Sequence, residues 1–424
     1  MPLNKTAIST LRAEFPALQQ TANGRPIIFF DGPGGTQVHG SVIEAMRGYY
    51  TEANSNAHGA FLFSRRTDET ATEARQAMAD FVNAPRADEI VFGANMTTIT
   101  FNISRSIGSI LAPGDEIVVS RMGHDGNVAP WVALEEQGIV VRHADMNTDD
   151  CTLDMDSLEA TINERTKLVA TGYASNATGT INDVRRIADM AHAVGAWHYV
   201  DAVHYAPHGP IDVQAIDCDF LVCSSYKFFG PHFGALYGRY ELLDSLPAYK
   251  VRPIADVPPE KFETGTMNYE AMAGTTAAVN YFASVGQRFG GEFAHEFPDF
   301  EGRQRDLKAG MAAIRAYERE ECKRLVAGLQ EIAGLRIYGI TDPAQFDRRA
   351  PTVSFTLQGL TPREIARRLD EANIFVWNGS FGAPAVTERL GLEEHGGLLR
   401  VGLAHYNTAE EVDALLGILA DMPR

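Results

Sequence analysis

Cysteine is scarce: Cys151, Cys218, Cys223 and Cys322 are the only four in 424 residues, and their irregular spacing suits neither a disulfide framework nor a zinc site, so no metal is expected. No apolar run approaches the length of a membrane span. The opening Met1-Pro2-Leu3-Asn4-Lys5 has no apolar signal core behind it, which favours a cytoplasmic location. Positive charge is also short. With 37 Lys and Arg against 55 Asp and Glu, the net charge of −18 repels nucleic acid and anionic membrane surfaces, so neither is expected as a partner. There is no Walker lysine loop, no dinucleotide glycine fingerprint, no helix-turn-helix segment, no basic arm and no internal repeat. Together these absences disfavour a nucleotide-binding protein, and equally a regulator carrying a non-catalytic effector-binding module.

What is present is a chain with 45% hydrophobic content, long enough for two compact domains. Short apolar runs at Ile117-Val118-Val119, Ile139-Val140-Val141, Leu168-Val169-Ala170 and Trp197 to Val200 read as buried strands. Between them lie helical spacings such as Val184, Ile187, Ala188, Ala191 and Val194. This alternation predicts an α/β fold, a parallel sheet covered by helices. Around residues 285 to 303 the composition turns to Gly, Phe and acid, which suggests a boundary. Beyond it, Thr352 to Leu357, a helix from Thr361, Ile374 to Trp377, Leu399 to Leu403 and a helix capped by Thr408 with Glu411 read as a small α+β domain.

Lys227 follows the strand-like run Asp219 to Cys223 within Ser224-Ser225-Tyr226-Lys227-Phe228-Phe229-Gly230-Pro231. A loop lysine is ordinarily a solvated cation, but one at the end of a buried strand is placed to lose its proton and form an imine with an aldehyde cofactor. Asp201 ends the run Ala196 to Val200. Neighbouring strands of a parallel sheet bring their ends together, so the two can face one site. Pyridoxal phosphate needs both: an amine for its aldehyde and a carboxylate to keep its ring nitrogen protonated. Thr97-Thr98 precede or open a helix with Ile99, Ile103, Ile107 and Leu111 on one stripe, and a helix N-terminus can seat a phosphate, although plain N-capping accounts for the same residues.

Tyr199-Val200-Asp201-Ala202-Val203-His204 followed by Ser224-Ser225-Tyr226-Lys227 resembles the class V aminotransferase family, in its cysteine desulfurase and selenocysteine lyase-like branch. The likeness runs from Phe29-Phe30-Asp31-Gly32 to Arg400 and Tyr406-Asn407-Thr408, nearly the whole chain. It implies the aminotransferase type I fold. An N-terminal segment, 1–30, would pack on the small domain; residues 31–285 would form a large cofactor domain around a mostly parallel seven-stranded sheet; residues 286–424 would form the small domain. It also implies pyridoxal 5'-phosphate, an amino acid substrate and a homodimer with shared active sites.

The site residues that the resemblance carries are Lys227 as the imine-forming and proton-moving amine, Asp201 at the ring nitrogen and His124 stacked on the ring as a proton carrier. Thr98, with Thr97 beside it, Ser224 and Tyr226 would hold the phosphate, with Thr266 reaching across from a partner. His204, where the family has Gln, would donate to the ring hydroxyl. Arg400 would fork onto the substrate's α-carboxylate, helped by Asn176, which would also serve the ring hydroxyl, and His58 would lie near the partner's site.

The departures bear on the reaction. Desulfurases carry a persulfide-forming cysteine in a mobile loop, and here that stretch reads Trp377-Asn378-Gly379-Ser380-Phe381-Gly382-Ala383-Pro384. Trp377 also stands in place of a second arginine, and Tyr226 in place of a histidine. The reaction expected is therefore a desulfurase-like C–S or related lyase without a persulfide cysteine, proceeding through an imine at the substrate and a carbanion. An aminotransferase or epimerase would share that carbanion and differ in its ending.

Overall fold

The computed structural model describes residues 3–422. Seven strands form the main sheet: β1 (Ile90–Gly93), β2 (Glu116–Ser120), β3 (Val140–Ala144), β4 (Thr166–Gly172), β5 (Trp197–Asp201), β6 (Phe220–Ser224) and β7 (Gly234–Gly238). Their order is β1-β7-β6-β5-β4-β2-β3. Every pairing is parallel except those of β7, which runs against both β1 and β6. The mostly parallel seven-stranded sheet expected from the sequence is what the chain forms. All residues of β2 and β6 are buried, as sheet interiors covered on both faces require. The helix expected around Val184 to Val194 covers Val184–His192, with Val184, Ile187, Ala188 and Ala191 buried.

A second sheet of β8 (Leu335–Tyr338), β9 (Thr352–Leu357), β10 (Trp377–Gly379) and β11 (Leu398–Gly402) is antiparallel in the order β8-β9-β11-β10. Helices Pro362–Asp370 and Ala409–Ala420 cover it, and each opens with a capping box, Thr361 with Glu364 and Thr408 with Glu411.

The two cores meet along the 29-residue helix Gly302–Gln330. Leu307, Met311 and Ile314 join the core beside the large sheet, whereas Cys322, Leu325, Val326 and Leu329 join that of the small sheet. This one helix thus contributes to both cores. Glycine explains the attachment of its first half: a Cβ on Gly286 of helix Tyr269–Phe289 would lie 1.8 Å from Asp306 O, and one on Gly310 would lie 2.4 Å from Phe282 O. Only two bare backbones can approach so closely.

The N-terminal segment touches both cores: Lys5 and Arg12 pair with Glu410 and Glu411 of the small domain, and Asn373 Nδ2 donates to Ala22 O at 2.6 Å. Leu11, Phe15 and Leu18 belong to the large core, with Phe15 edge-on to Phe229 at 5.6 Å. Ile28 and buried Phe30 join the small core, where the strand Ile28–Phe29 runs parallel to Ile374–Phe375. The short amphipathic helix Lys5–Ala13 inserts its apolar face where the larger hydrophobic surface lies. Among the described residues, no helix is long and apolar enough to cross a membrane.

Candidate active site

A cavity opens at the C-terminal ends of β5 and β6, where parallel sheets commonly bind ligands. Asp201 is the last residue of β5 and Ser224 the last of β6, and a single 3₁₀ turn, Ser225–Lys227, carries Lys227 back over the opening. Asp201, Lys227, His124, His204, Ser224 and Tyr226 all line it. Sequence positions 26 apart are thereby joined by strand adjacency, since β5 and β6 are direct neighbours.

Lys227 Nζ donates to the carbonyl of Pro33 and lies 4.7 Å from the centroid of the Tyr226 ring. Burial pushes its amine down to about 7, with the Arg400 charge adding to the effect and Asp201 and Asp31 opposing it. Asp201 is pushed up to about 6 by burial, against the Val203 N–H, which donates to its Oδ1 at 2.9 Å, and the charge of Lys227. A buried carboxylate with so little compensation is poised to accept a cationic N–H.

The helix Met96–Gly108 points its N-terminus at the same cavity. Asn95 caps it by accepting from Thr98 N, and Met96 N donates to Ser224 Oγ at 3.0 Å. Thr97 lines the cavity. Thr98 does not: it is exposed, and its hydroxyl donates to Asn95 Oδ1 at 3.1 Å. Successive helical residues are turned by about 100°, so of the adjacent pair only one can face inward. Of the expected pair, Thr97 therefore faces the cavity and Thr98 does not. Tyr226 lines the same space with its ring stacked on His232 at 4.9 Å.

His124 is kept neutral, its pKa lowered by burial and then by the Lys227 charge, and its Nδ1 accepts from Gly126 N at 2.9 Å. His204, wholly buried, is lowered much further, by burial first and His208 next. Its Nε2 meets Thr352 Oγ1 at 3.1 Å, so a neutral imidazole bridges the cavity and β9. Behind it His208 Nδ1 pairs with buried Glu318 at 2.8 Å.

Arg400, in the middle of β11, is 3% exposed. Its Nη1 donates to Asn176 O at 2.9 Å, its guanidinium carbon lies 4.3 Å from the Phe381 ring centroid, and its Nε is buried without a partner. Burial pushes it down to about 9. Asn176 lines the cavity, and its side-chain amide donates to Phe381 O at 2.8 Å.

Two expected residues stand apart. Thr266 is exposed and lines a wider depression together with Thr98, Phe262 and His232. His58 is exposed on a left-handed backbone of φ 65°, paired with Asp68 at 3.3 Å. Neither lines the Lys227 cavity within this chain, and Arg400 lies outside its lining too, acting there through its charge on Lys227.

The sequence reading missed Asp31, whose motif it used only as a landmark. This carboxyl is pushed up to about 6 by burial, feels the charges of Arg400 and Lys227, and leaves its Oδ1 buried without a partner. The parallel bridge Asp31↔Gly402 brings it beside β11, a long-range pairing that leaves no local signal.

All four cysteines are buried: Cys151 and Cys223 have thiols pushed up to about 12 by burial, and Cys218 and Cys322 are raised by the same cause. None lines the cavity.

A sequence model described as aminotransferase class V matches residues 28–292 and 307–415. A probable cysteine desulfurase of Mycolicibacterium paratuberculosis is 34% identical over 96% of this chain, and a cysteine desulfurase of Synechococcus elongatus is 34% identical over the same share. The chain spans 57% and 62% of those two relatives' lengths. Against a probable cysteine desulfurase of Synechocystis sp., 33% identical, 96% of this chain and 94% of the relative align. Among solved structures, the apo cysteine desulfurase of Thermococcus onnurineus NA1 superposes with a TM-score of 0.84 at 29% identity, covering 97% of each chain. The cysteine desulfurase CsdA of Escherichia coli does so at 0.81 and 27%, again over 97% of each.

Proposed function

Since the chain belongs to the class V aminotransferase family, which is pyridoxal phosphate-dependent, we propose that it is a pyridoxal phosphate enzyme acting on an amino acid as a desulfurase-like C–S or related lyase that uses no cysteine of its own. The observation that carries this is the meeting of Lys227 and Asp201 in one cavity while every cysteine lies buried elsewhere. The donor set fits the cofactor. An amine near neutrality, an under-compensated buried carboxylate and a helix N-terminus offer a partner to its aldehyde, its ring nitrogen and its phosphate respectively.

When bound, pyridoxal phosphate supplies an aldehyde that joins an amine and a ring that accepts the electron pair left when an α-proton departs. Lys227 would hold the aldehyde through Nζ and would be the amine placed to accept the proton of the substrate's α-carbon, a role suited to an amine that burial pushes down to about 7. Asp201 would keep the ring nitrogen protonated. Thr97, Ser224, Tyr226 and the first-turn amides would hold the phosphate, with Thr98 beside them and Thr266 reaching across in a homodimer. His124 would pack on the ring, and His204 would donate to its hydroxyl, with Asn176 serving the same hydroxyl and the substrate's carboxylate. Arg400 takes the α-carboxylate, and His58 serves the partner's site.

In the domain reading we propose, residues 31–285 form the cofactor domain and residues 286–424 the small domain, with helix Gly302–Gln330 joining the two, its first half packed on the large core and its second half on the small one. The test of function is to incubate the holoprotein with single L-amino acids, with and without a 2-oxoacid, and to identify the products. Release of the side-chain substituent without oxoacid dependence is expected. Amino transfer that requires the oxoacid, or inversion of the α-carbon with no release, overturns the lyase assignment.

A further inference from the structure

Arg400 is held by the segment that follows β10, and the hold is closer than loop packing requires. Phe381 has φ 59°, in the left-handed region that a bulky side chain rarely enters, between Gly379 at φ 118° and Gly382 at φ 72°. Its carbonyl accepts from Asn176 Nδ2 at 2.8 Å. Next to it, Gly382 O accepts from Asp125 N at 2.7 Å, and a Cβ on Gly382 would stand 2.5 Å from His124 Nε2. The backbone that carries the ring is thus anchored at both residues, and the ring faces the guanidinium at 4.3 Å.

The guanidinium is consequently constrained in two ways. Asn176 O anchors its Nη1 at 2.9 Å, and the Phe381 face fixes its plane. Its Nε, although buried, has no partner, and Asp31, the acid whose charge it feels, forms no ion pair with it within 4.0 Å. A buried guanidinium edge without an acceptor is an expensive feature to maintain unless a ligand supplies the acceptor.

We propose that Phe381 is a positioning residue for carboxylate recognition: its ring and the Asn176 carbonyl bracket Arg400 so that the guanidinium edge carrying Nε meets the substrate's α-carboxylate. The loop then acts as a fixed wall of the substrate site. Asn176 serves this role twice, through its carbonyl on Arg400 and its amide on Phe381. The inference rests on the amino-acid reading above and adds the means by which its arginine is aimed.

The experiment is spectral titration of the holoprotein with L-alanine and L-phenylalanine, and with ethylamine and phenethylamine, the same amines without the carboxylate. In Phe381→Leu, dissociation constants for the two amino acids rise roughly tenfold while those for the amines stay within about twofold, and Phe381→Trp restores amino acid binding because the cation–π face returns. Phe381→Met replaces Phe381→Leu if the latter does not fold. Equal weakening for amines and amino acids, or none for either, overturns the role of Phe381. A wild-type protein whose spectrum answers none of the four probes overturns the underlying reading as well.

Discussion

At the scale of single residues, Lys227 sets a pH dependence whose sign can be worked out. Its pKa is near 7 in the folded chain against an ordinary 10.5, so burial penalises the ammonium form. Below about pH 7 both folded and unfolded chains carry the proton and the penalty is full. Between pH 7 and 10.5 only the unfolded chain holds it, so this group's contribution to stability rises with pH. Cofactor-free Lys227→Met should therefore melt above the cofactor-free wild type at pH 6, with the gap closing towards pH 10. A gap independent of pH would mean that the amine is solvated. Arg400→Lys should raise KM for the amino acid substrate roughly tenfold or more with a smaller change in kcat, because an ammonium cannot reproduce the planar edge. Steady-state kinetics decide it, and an unchanged KM would remove Arg400 from substrate binding.

Lys227 and Asp201 were legible in the sequence because each ends an apolar run, and the parallel sheet then dictates their meeting. Thr97 and Thr98 were not separable, since neighbours in a chain carry no statement of which one a helix turns inward. Phe381 was invisible for another reason: a lone aromatic in a glycine-rich loop has no period, and its meaning comes from β11, across the small sheet.

At the scale of elements, the loop after β4 stitches the cofactor cavity to the small sheet. Gly179, with φ 81°, accepts from Ala350 N at 2.7 Å, and Thr180 bridges to Arg349. A Cβ there would sit 2.4 Å from Thr352 O, and Thr352 is the residue that fixes His204. Gly179→Ala should cost on the order of 1–3 kcal/mol, from backbone strain together with the clash, read as a lowered Tm, and should also weaken cofactor retention. A variant that melts with wild type would show that the loop relaxes freely. The sequence located the strands on either side of this stitch but could not join them. Helix Gly302–Gln330 reads in the sequence as one unbroken helical stretch, and its packing shows that the two halves serve different cores.

At the scale of the whole molecule, Tyr50, Phe61 and Leu62 are more than half exposed, apolar surface that a homodimer of the kind proposed above would cover. The protein should sediment as a dimer whose cofactor occupancy falls in Thr266→Ala, and a fully active monomer would exclude shared sites. Removal of all four cysteines should leave turnover largely intact, because none is accessible, and should cost about 1 kcal/mol per site in packing. A cysteine-free protein that folds and binds cofactor yet cannot turn over would require a hidden sulfur acceptor. The central claim, that the chemistry resides on Lys227, is tested most directly by reducing the holoprotein with borohydride and mapping the pyridoxyl group by peptide mass spectrometry. The account predicts one labelled residue, Lys227, with the label lost in Lys227→Ala. A label on any other lysine, such as buried Lys308, or none at all, would contradict it.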